Sequence, residues 1–228
     1  MKYAIIAAGE GSRLLQEGID VPKPMVQVGG ERLIDRLIRI FVAHEATDIA
    51  VICRHPSVAA YLQRMRLPVP LHIIIKATPS SMHSMFELAP LLEGEPFVLT
   101  TVDTIFRESE FADYVRVFSR TEDAEGVMGV TDYIDDEKPL YVETTPDGHI
   151  TAFLDACRHP HYVSGGIYGL RPSSLPTLRR CIERGESRMR NFQRALIADG
   201  QRLRAYPFSK VLDIDHASDI KKAEQLLR

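Results

Sequence analysis

Two cations and two glycines near the start of the chain have the types and spacing of a phosphate site. The glycines lie in the segment Ala8–Arg13 (AGEGSR), directly after an apolar run. Glycine lets backbone N–H groups approach phosphate oxygens without hindrance from a Cβ atom. Arg13 adds a planar guanidinium that suits phosphate, and Lys23 adds a compact charge in a loop stiffened by prolines. The segment therefore predicts a site for a phosphorylated ligand.

The two most familiar phosphate-binding patterns do not account for this loop. The Rossmann fingerprint GxGxxG needs a third glycine, which is absent, and the pattern GxxxxGK[ST] is absent as well. When the glycines are considered alone, a simple turn followed by two surface cations remains the alternative interpretation.

Carboxylates placed for metal binding form a second group of candidates. Asp103 follows the apolar run Phe97–Thr101, and in a parallel sheet that end of a strand is where ligands bind. Asp213 and Asp215 are separated by one residue in an extended run, so their side chains share a face and the pattern cannot choose between them. Mg²⁺ is typically held by one or two carboxylates, waters and substrate phosphates. Alternatively, Asp103 caps the turn that follows it.

The elements that must position these residues alternate between strands and helices. In about the first 120 residues, apolar runs of strand length are repeatedly followed by segments with apolar residues at helical spacing. Such repeated units predict an α/β fold with a Rossmann-like, mostly parallel sheet flanked by helices. The predicted strands are Tyr3–Ala8, Asp48–Ile52, Leu71–Ile75, Phe97–Thr101, Gly126–Thr131, Leu140–Thr144, Ile150–Phe153 and Leu203–Pro207. The predicted helices are Glu31–His44, Val58–Arg66, Ser81–Leu92, Glu108–Arg120, Leu175–Arg184, Asn191–Asp199 and Ala217–Leu227, the last with Ser218 and Asp219 as candidate N-terminal caps.

The first loop also carries a family resemblance. Its sequence AAGEGSRL, followed by PKPM at Pro22–Met25, resembles the signature of the sugar-phosphate nucleotidyltransferase superfamily, in which AAGxGxR(L/M) precedes PKP. The resemblance implies a glycosyltransferase-A-like nucleotidyltransferase fold. It also implies a magnesium-dependent enzyme that transfers NMP from an NTP to a phosphorylated small molecule and releases pyrophosphate.

The resemblance assigns chemical roles to individual residues. Arg13 is expected on the outgoing pyrophosphate and Lys23 on the transferred α-phosphate, as the catalytic pair. Asp103 matches the family's metal-binding aspartate. Asp215 matches the first acid of the family's (V/I)D-T-P-x-D-L element, although Thr-Pro is replaced here, and Asp213 is the fallback ligand.

Ligand-contacting residues follow from the same resemblance. The predicted nucleotide-binding residues are Ala8, Gly9, Gly11, Ser12, Ser81 and Ser84. The serines after Pro79 are alternatively ordinary helix caps. Gly165 and Gly166 are the predicted acceptor-binding residues, in a strand similar to the family's (N/S)xGiY, and a bulge is the alternative. Because the family's EKP triplet is missing after Asp147–Ile150, both a sugar 1-phosphate and a phosphocholine-like acceptor stay open.

Composition limits the remaining classes of function. The formal net charge of −3 does not predict a nucleic-acid groove or a polybasic membrane patch. No apolar run has the length of a membrane-spanning helix, and the three scattered cysteines favour a reducing compartment, so a cytoplasmic protein is predicted. We expect a single domain over residues 1–228, with nucleotide bound by about residues 1–120 and acceptor by the rest.

Other interpretations of the same residues stay in view. A molybdenum-cofactor nucleotidyltransferase shares the loop pattern but uses a pterin acceptor. A glycosyltransferase of related fold would consume a nucleotide sugar, but it usually carries a DxD metal motif, which Asp103-Thr104-Ile105 does not supply. A catalytically silent binding domain is disfavoured by the intact loop cations and Asp103.

Overall fold

The computed structural model describes residues 1–135 and 137–228, which form an α/β fold around a nine-stranded sheet. The strands are β1 Lys2–Ala7, β2 Gln27–Val28, β3 Glu31–Arg32, β4 Asp48–Cys53, β5 Leu71–Ile75, β6 Phe97–Thr101, β7 Thr104–Ile105, β8 Gly126–Thr131, β9 Tyr141–Thr144, β10 Ile150–Leu154, β11 Tyr162–Leu170, β12 Leu203–Phe208 and β13 Leu212–Asp213. The helices are α1 Ser12–Gln16, α2 Leu33–Ala43, α3 Pro56–Leu62, α4 Ser81–Leu92, α5 Glu108–Arg120, α6 Leu175–Glu183, α7 Met189–Ala198 and α8 Ala217–Leu226.

The front of the sheet is parallel. Strand β1 pairs in parallel with β4 and β6, and β4 pairs in parallel with β5. Side chains of β1 alternate between two apolar clusters, with Tyr3 and Ile5 in one and Ala4 and Ile6 in the other. Because both faces are covered, the strand is apolar throughout instead of alternating with polar residues. The predicted parallel sheet flanked by helices is confirmed.

Helices cover the two faces of the sheet. Residues of α2, α3, α5 and α8 belong to the cluster that contains Tyr3, whereas residues of α4, α6 and α7 belong to the cluster that contains Ala4. No helix among the described residues combines the length and apolar character needed to cross a membrane.

The back of the sheet has a different topology. The long strand β11 pairs antiparallel with β6, β8 and β9, and β12 then adds parallel to β8. Two of the short strands predicted after residue 120, β8 and β9, are therefore antiparallel partners of β11, and β10 pairs antiparallel with β9. Strand β11 contains the segment that resembles the family's (N/S)xGiY strand.

Several small elements were not predicted from the sequence. They include α1 and two ribbons of two-residue strands, β2–β3 and β7–β13. The helix predicted over Val58–Arg66 is α3, which begins earlier, with Pro56 in its first turn, and ends at Leu62. Tight turns follow, because Met65 N–H donates to the Leu62 carbonyl, and Pro68 disfavours helix in the residue before it.

Candidate active site

The glycine loop joins β1 to α1 with two glycines in different roles. Gly11 precedes α1 in the left-handed region, at φ 64°, and a Cβ atom there would come within 3.2 Å of Lys23 Cβ. A Cβ atom on Gly9 would meet no protein atom within 4 Å. Gly11 is therefore required by backbone geometry and by the approach of Lys23, whereas Gly9 borders open space.

That open space is a cavity of about 710 Å³ along the carboxyl edge of β1 and β6, which we call the glycine-loop cavity. The structure brings together around it every residue predicted to bind nucleotide, both predicted catalytic cations and both predicted metal ligands. These lining residues are Ala8, Gly9, Gly11, Ser12, Arg13, Lys23, Ser81, Ser84, Asp103 and Asp215.

Lys23 connects the two predicted metal ligands. Its Nζ atom forms an ion pair with Asp103 and lies 2.7 Å from Asp215 Oδ1. Burial alone would lower the pKa of Lys23, but the two carboxylates outweigh burial and raise it. Burial would likewise raise the pKa of Asp103, yet the charge and hydrogen bond of Lys23 lower it. Lys23 and Asp103 therefore stabilise each other's charged forms.

Arg13 approaches the same cluster from the solvent side. Its Nη1 atom lies 3.1 Å from Asp215 Oδ2, and its Nη2 atom lies 3.8 Å from Glu137 Oε2. The Arg13 side chain is half exposed, whereas that of Lys23 is 10% exposed. Arg13 is thus free to reach a ligand without leaving a buried carboxylate unpaired.

The short ribbon β7–β13 places Asp103 and Asp215 side by side. Asp213 pairs with Thr104 across the ribbon, and Ile214 N–H donates to the Asp103 carbonyl at 3.1 Å. Asp215 then reaches the ammonium that Asp103 also contacts, whereas Asp213 accepts a hydrogen bond of 3.3 Å from Thr104 Oγ1.

Helix α8 begins immediately after Asp215. His216, and not Ser218, is its N-cap residue. The Asp219 side chain accepts hydrogen bonds from the backbone N–H groups of Asp215 and His216, at 3.2 and 2.8 Å. The expectation that Asp219 caps the helix is confirmed, because it completes a capping box three residues after the N-cap.

The donor set suits a hard divalent cation. Two carboxylates, from Asp103 and Asp215, converge on one cationic atom, so they are close enough to share a metal ion. Within residues 1–135 and 137–228, no group of three or more His, Cys, Asp or Glu side chains could hold a metal. Two carboxylates without a protein cage is the pattern of Mg²⁺ bound together with waters and phosphates.

The serine segment before α4 forms another wall of the glycine-loop cavity. Ser84 is buried, with its Oγ atom 2.6 Å from Thr78 Oγ1. Ser80 is the N-cap residue of α4, and its Oγ atom lies 2.9 Å from His83 Nδ1. Ser80 Oγ also accepts a hydrogen bond from the backbone N–H of Arg188, whose φ is 71°. The arginine fork of Arg188 suits phosphate, but no local pattern indicated this backbone contact, and a non-glycine residue at positive φ is uncommon.

A second cavity adjoins the first, and we call it the acidic cavity. Its charged lining residues are Arg13, Asp135, Glu137, Asp213, Asp215, Asp219 and Lys222. Arg13 and Asp215 therefore line both cavities. Lys222 bridges Asp135 and Asp219, at 2.7 and 3.3 Å.

The two glycines predicted to contact an acceptor occupy an irregularity of β11. The register with β8 shifts between Ser164 and Ile167, so the bulge is present. Gly165 lines the acidic cavity, and a Cβ atom there would lie 3.2 Å from both Gly129 O and Val211 Cγ2. Gly166 has φ 70°, and its Cβ would lie 3.0 Å from Thr104 Oγ1. Close packing explains both glycines, and acceptor binding stays a prediction.

Fold and site together define an α/β protein with a glycine loop, two cations and a carboxylate pair at the carboxyl edge of its parallel strands. Comparison with known families gives the particular class. The family model for the MobA-like NTP transferase domain matches residues 3–201. The chain belongs to this family, and the resemblance inferred from AAGEGSRL and PKPM is confirmed.

Curated relatives match parts of the chain. Glucose-1-phosphate cytidylyltransferase of Salmonella typhimurium is 38% identical over 53 residues, which are 23% of this chain and 21% of the relative. Mannose-1-phosphate guanyltransferase of Schizosaccharomyces pombe is 27% identical over 186 residues, which are 77% of this chain and 51% of the relative. The chain thus spans at most about half the length of these relatives.

A solved structure matches over the whole chain. CTP:phosphocholine cytidylyltransferase of Streptococcus pneumoniae superimposes with a TM-score of 0.79 at 17% identity, covering 100% of this chain and 99% of that structure. The similarity shows a shared fold.

Proposed function

We propose that this protein is a magnesium-dependent nucleotidyltransferase that transfers NMP from an NTP to a phosphorylated small molecule and releases pyrophosphate. One observation carries the proposal: the glycine-loop cavity and the acidic cavity meet at Arg13 and Asp215, next to Lys23 and Asp103. An NTP in the first cavity and an acceptor in the second would present their reacting phosphates at this junction.

The reaction needs alignment more than proton transfer. An acceptor phosphate oxygen is already an anion, and it attacks the α-phosphorus of the NTP. The bond between the α-phosphorus and the bridging oxygen breaks, and pyrophosphate leaves with the electron pair. No general base is required, and the chain's contribution is to hold both phosphates in line and to neutralise the charge that is shared during transfer.

The cations divide this work in the proposal. Lys23 is nearly buried beside the carboxylates and would neutralise the α-phosphate, whereas the more exposed Arg13 would hold the outgoing pyrophosphate. The glycine loop would contribute backbone N–H groups to the phosphates, with Gly9 leaving room for them. Ser81 and Ser84 are placed along the same cavity, where their hydroxyls could contact ribose or base.

Asp103 and Asp215 would hold the magnesium ion, and the geometry supports Asp215 because it shares the Lys23 ammonium with Asp103, whereas Asp213 accepts a hydrogen bond from Thr104. When bound, Mg²⁺ would neutralise phosphate oxygens at the junction and help to orient the NTP.

The acceptor is proposed to be a sugar 1-phosphate or a phosphocholine-like compound. The family relatives named for glucose-1-phosphate, mannose-1-phosphate and phosphocholine support both classes. Helix α8, Gly165 and the carboxylates of the acidic cavity would contact whichever group is attached to the acceptor phosphate.

A pyrophosphate-release screen tests the proposal directly. Each of the four common NTPs is combined with glucose 1-phosphate, mannose 1-phosphate, phosphocholine and a pterin phosphate, with Mg²⁺ or with excess EDTA. We expect one NTP–acceptor pair to release pyrophosphate only with the metal. The variant Asp103→Asn should be strongly impaired with the same pair, and Asp113→Asn, at an exposed carboxylate paired with Arg116 on α5, is the matched control.

Each outcome of the screen has a defined meaning. Activity only with the pterin would support the molybdenum-cofactor alternative. Full activity in excess EDTA would refute the metal dependence. No release with any of these pairs would argue against transfer to the proposed acceptors.

A further inference from the structure

The ammonium of Lys23 occupies the position between Asp103 and Asp215 that a shared metal ion would take. The Nζ atom forms ion pairs with both carboxylates. A Mg²⁺ ion bound to the same oxygens at roughly 2.0–2.1 Å would need that space. An ammonium and a divalent cation at one carboxylate pair would also repel each other. The Lys23 ammonium and a metal ion therefore cannot occupy the position between Asp103 and Asp215 at the same time.

We propose that Lys23 keeps the metal site closed in the free protein, so that a divalent cation binds Asp103 and Asp215 tightly only after the ammonium has moved to a nucleotide phosphate. This inference rests on the proposed function and adds an order to it: nucleotide and metal bind as a coupled pair, and each raises the affinity of the protein for the other.

The backbone of Lys23 is fixed, so only its side chain can make this exchange. Met25 N–H donates to the Pro22 carbonyl at 2.7 Å, and Val26 N–H donates to the Lys23 carbonyl at 3.1 Å. Gly11 leaves just enough room for Lys23 Cβ. Rotation of the long side chain moves its charge without any shift of the loop.

The structure also provides a destination for the displaced charge. Lys23 and Gly9 both line the glycine-loop cavity, and Gly9 borders open space. An NTP phosphate in that cavity would give the ammonium a new anionic partner, while the metal would replace the ammonium between the aspartates. Without the nucleotide, a metal that entered would leave a buried ammonium without its partners, which is costly.

Titration with Mn²⁺ in the absence of nucleotide tests the proposal without measuring catalysis. Free Mn²⁺ is followed by electron paramagnetic resonance. We expect Lys23→Met to bind Mn²⁺ about tenfold or more tightly than the wild type, a change within the range of coupled sites. The double variant Lys23→Met/Asp103→Asn should lose this gain, which places the new affinity at the carboxylate pair.

Two matched variants distinguish the displacement of Lys23 from the general effect of removing a positive charge near the carboxylates. Arg13→Met removes a cation that pairs with the same Asp215 from a half-exposed position, and Lys222→Met removes one paired with Asp135 and Asp219. We expect a smaller gain in Mn²⁺ affinity for Arg13→Met and no gain for Lys222→Met. Equal gains for Lys23→Met and Arg13→Met would overturn the proposal.

A measurement on the wild type covers the possibility that Lys23→Met fails to fold. Lysine acylation, read residue by residue by mass spectrometry, should modify Lys23 slowly in the metal-free protein and faster at Mn²⁺ concentrations that fill the site. Lys76 and Lys222 serve as internal references. Unchanged labelling of Lys23 on filling the site would overturn the proposal.

The role of Lys23 and the metal site itself can be refuted separately. If Asp103→Asn abolishes Mn²⁺ binding but Lys23→Met binds Mn²⁺ as the wild type does, the metal site stands and the role of Lys23 is refuted. If Asp103→Asn and Asp215→Asn both leave Mn²⁺ binding unchanged, the metal assignment of the proposed function is refuted, and this inference falls with it.

Discussion

The two cavities that meet at Arg13 and Asp215 are built from different chemistry. The glycine-loop cavity is lined mainly by small residues and hydroxyls from the parallel front of the sheet. The acidic cavity is lined by charged side chains from the segment after β8, from β13 and from α8, together with uncharged residues of β11. Small residues leave backbone N–H groups accessible to any phosphate, whereas charged side chains select a ligand by its charge and hydrogen-bonding groups. In the proposed function, the glycine-loop cavity would therefore carry the phosphate chemistry, and the acidic cavity would select the acceptor.

The junction between the cavities contains the residue with the largest expected effect. Lys23→Ala should lower kcat by roughly 10²-fold or more, because it removes a preorganised charge from the transferring phosphate. Steady-state kinetics with the NTP–acceptor pair found in the screen would measure this loss. A rise in KM with unchanged kcat would instead make Lys23 a binding residue only.

Substitution of Asp215 and of Asp213 is expected to change the Mg²⁺ dependence of activity to different extents. Asp215→Asn should raise the Mg²⁺ concentration for half-maximal activity by about tenfold or more, since even residues that only support a ligand can cost that much. Asp213→Asn is the matched control, because it removes the same charge two residues away at Thr104. A larger metal defect in Asp213→Asn would transfer the ligand role to Asp213.

Substitution of the two loop glycines is expected to have smaller effects, on stability at Gly11 and on nucleotide binding at Gly9. Gly11→Ala forces alanine to φ 64° and against Lys23 Cβ, so it should cost more than about 1 kcal/mol, or roughly 2–4 °C in Tm. Gly9→Ala meets no protein atom, so Tm should stay unchanged while KM for the NTP rises. Thermal unfolding and kinetics of both variants decide this. Equal KM values for Gly9→Ala and the wild type would remove Gly9 from the nucleotide site.

The front half of the molecule was predictable because local patterns determine it. The apolar strands β1, β4 and β6 are buried on both faces, and the predicted Asp103 lies just beyond β6. The glycine loop and Lys23 could be found from the sequence because small backbone-exposing residues and a cation suit phosphate whatever their tertiary surroundings.

The back half was less predictable because its elements depend on distant partners. The ribbon β7–β13 has only two residues on each strand, too few to show a period, yet it places Asp215 beside Asp103. The sequence pattern alone could therefore not choose between Asp213 and Asp215, and the metal-binding role of Asp215 stays a prediction. The pattern could likewise not indicate the backbone contact of Arg188 with Ser80, which joins residues 108 positions apart.

The smallest expected effect concerns the contact between the end of α1 and the start of α8. Glu17, just after α1, contacts His216 Nδ1 and accepts a hydrogen bond from Ala217 N–H, both at 2.6 Å. Its hydrogen bond raises the pKa of His216 above 6.5, and hydrogen bonds from His216 and Ala217 lower the pKa of Glu17 below 4.5.

These two shifts fix the sign of the pH dependence. The stability that comes from the raised pKa of His216 is complete below pH 6.5 and is lost as pH rises through the folded pKa. The stability that comes from the lowered pKa of Glu17 is complete above pH 4.5 and is lost as pH falls through its folded pKa.

Glu17→Gln should therefore lower Tm most between about pH 4.5 and 6.5, by a small amount because the pair is exposed. It should also lower the pKa of His216 measured by NMR. Glu10→Gln, which loses a carboxylate paired with Arg54, should leave that pKa unchanged. An unchanged pKa of His216 in Glu17→Gln would mean that the glycine loop and α8 are not coupled through this pair.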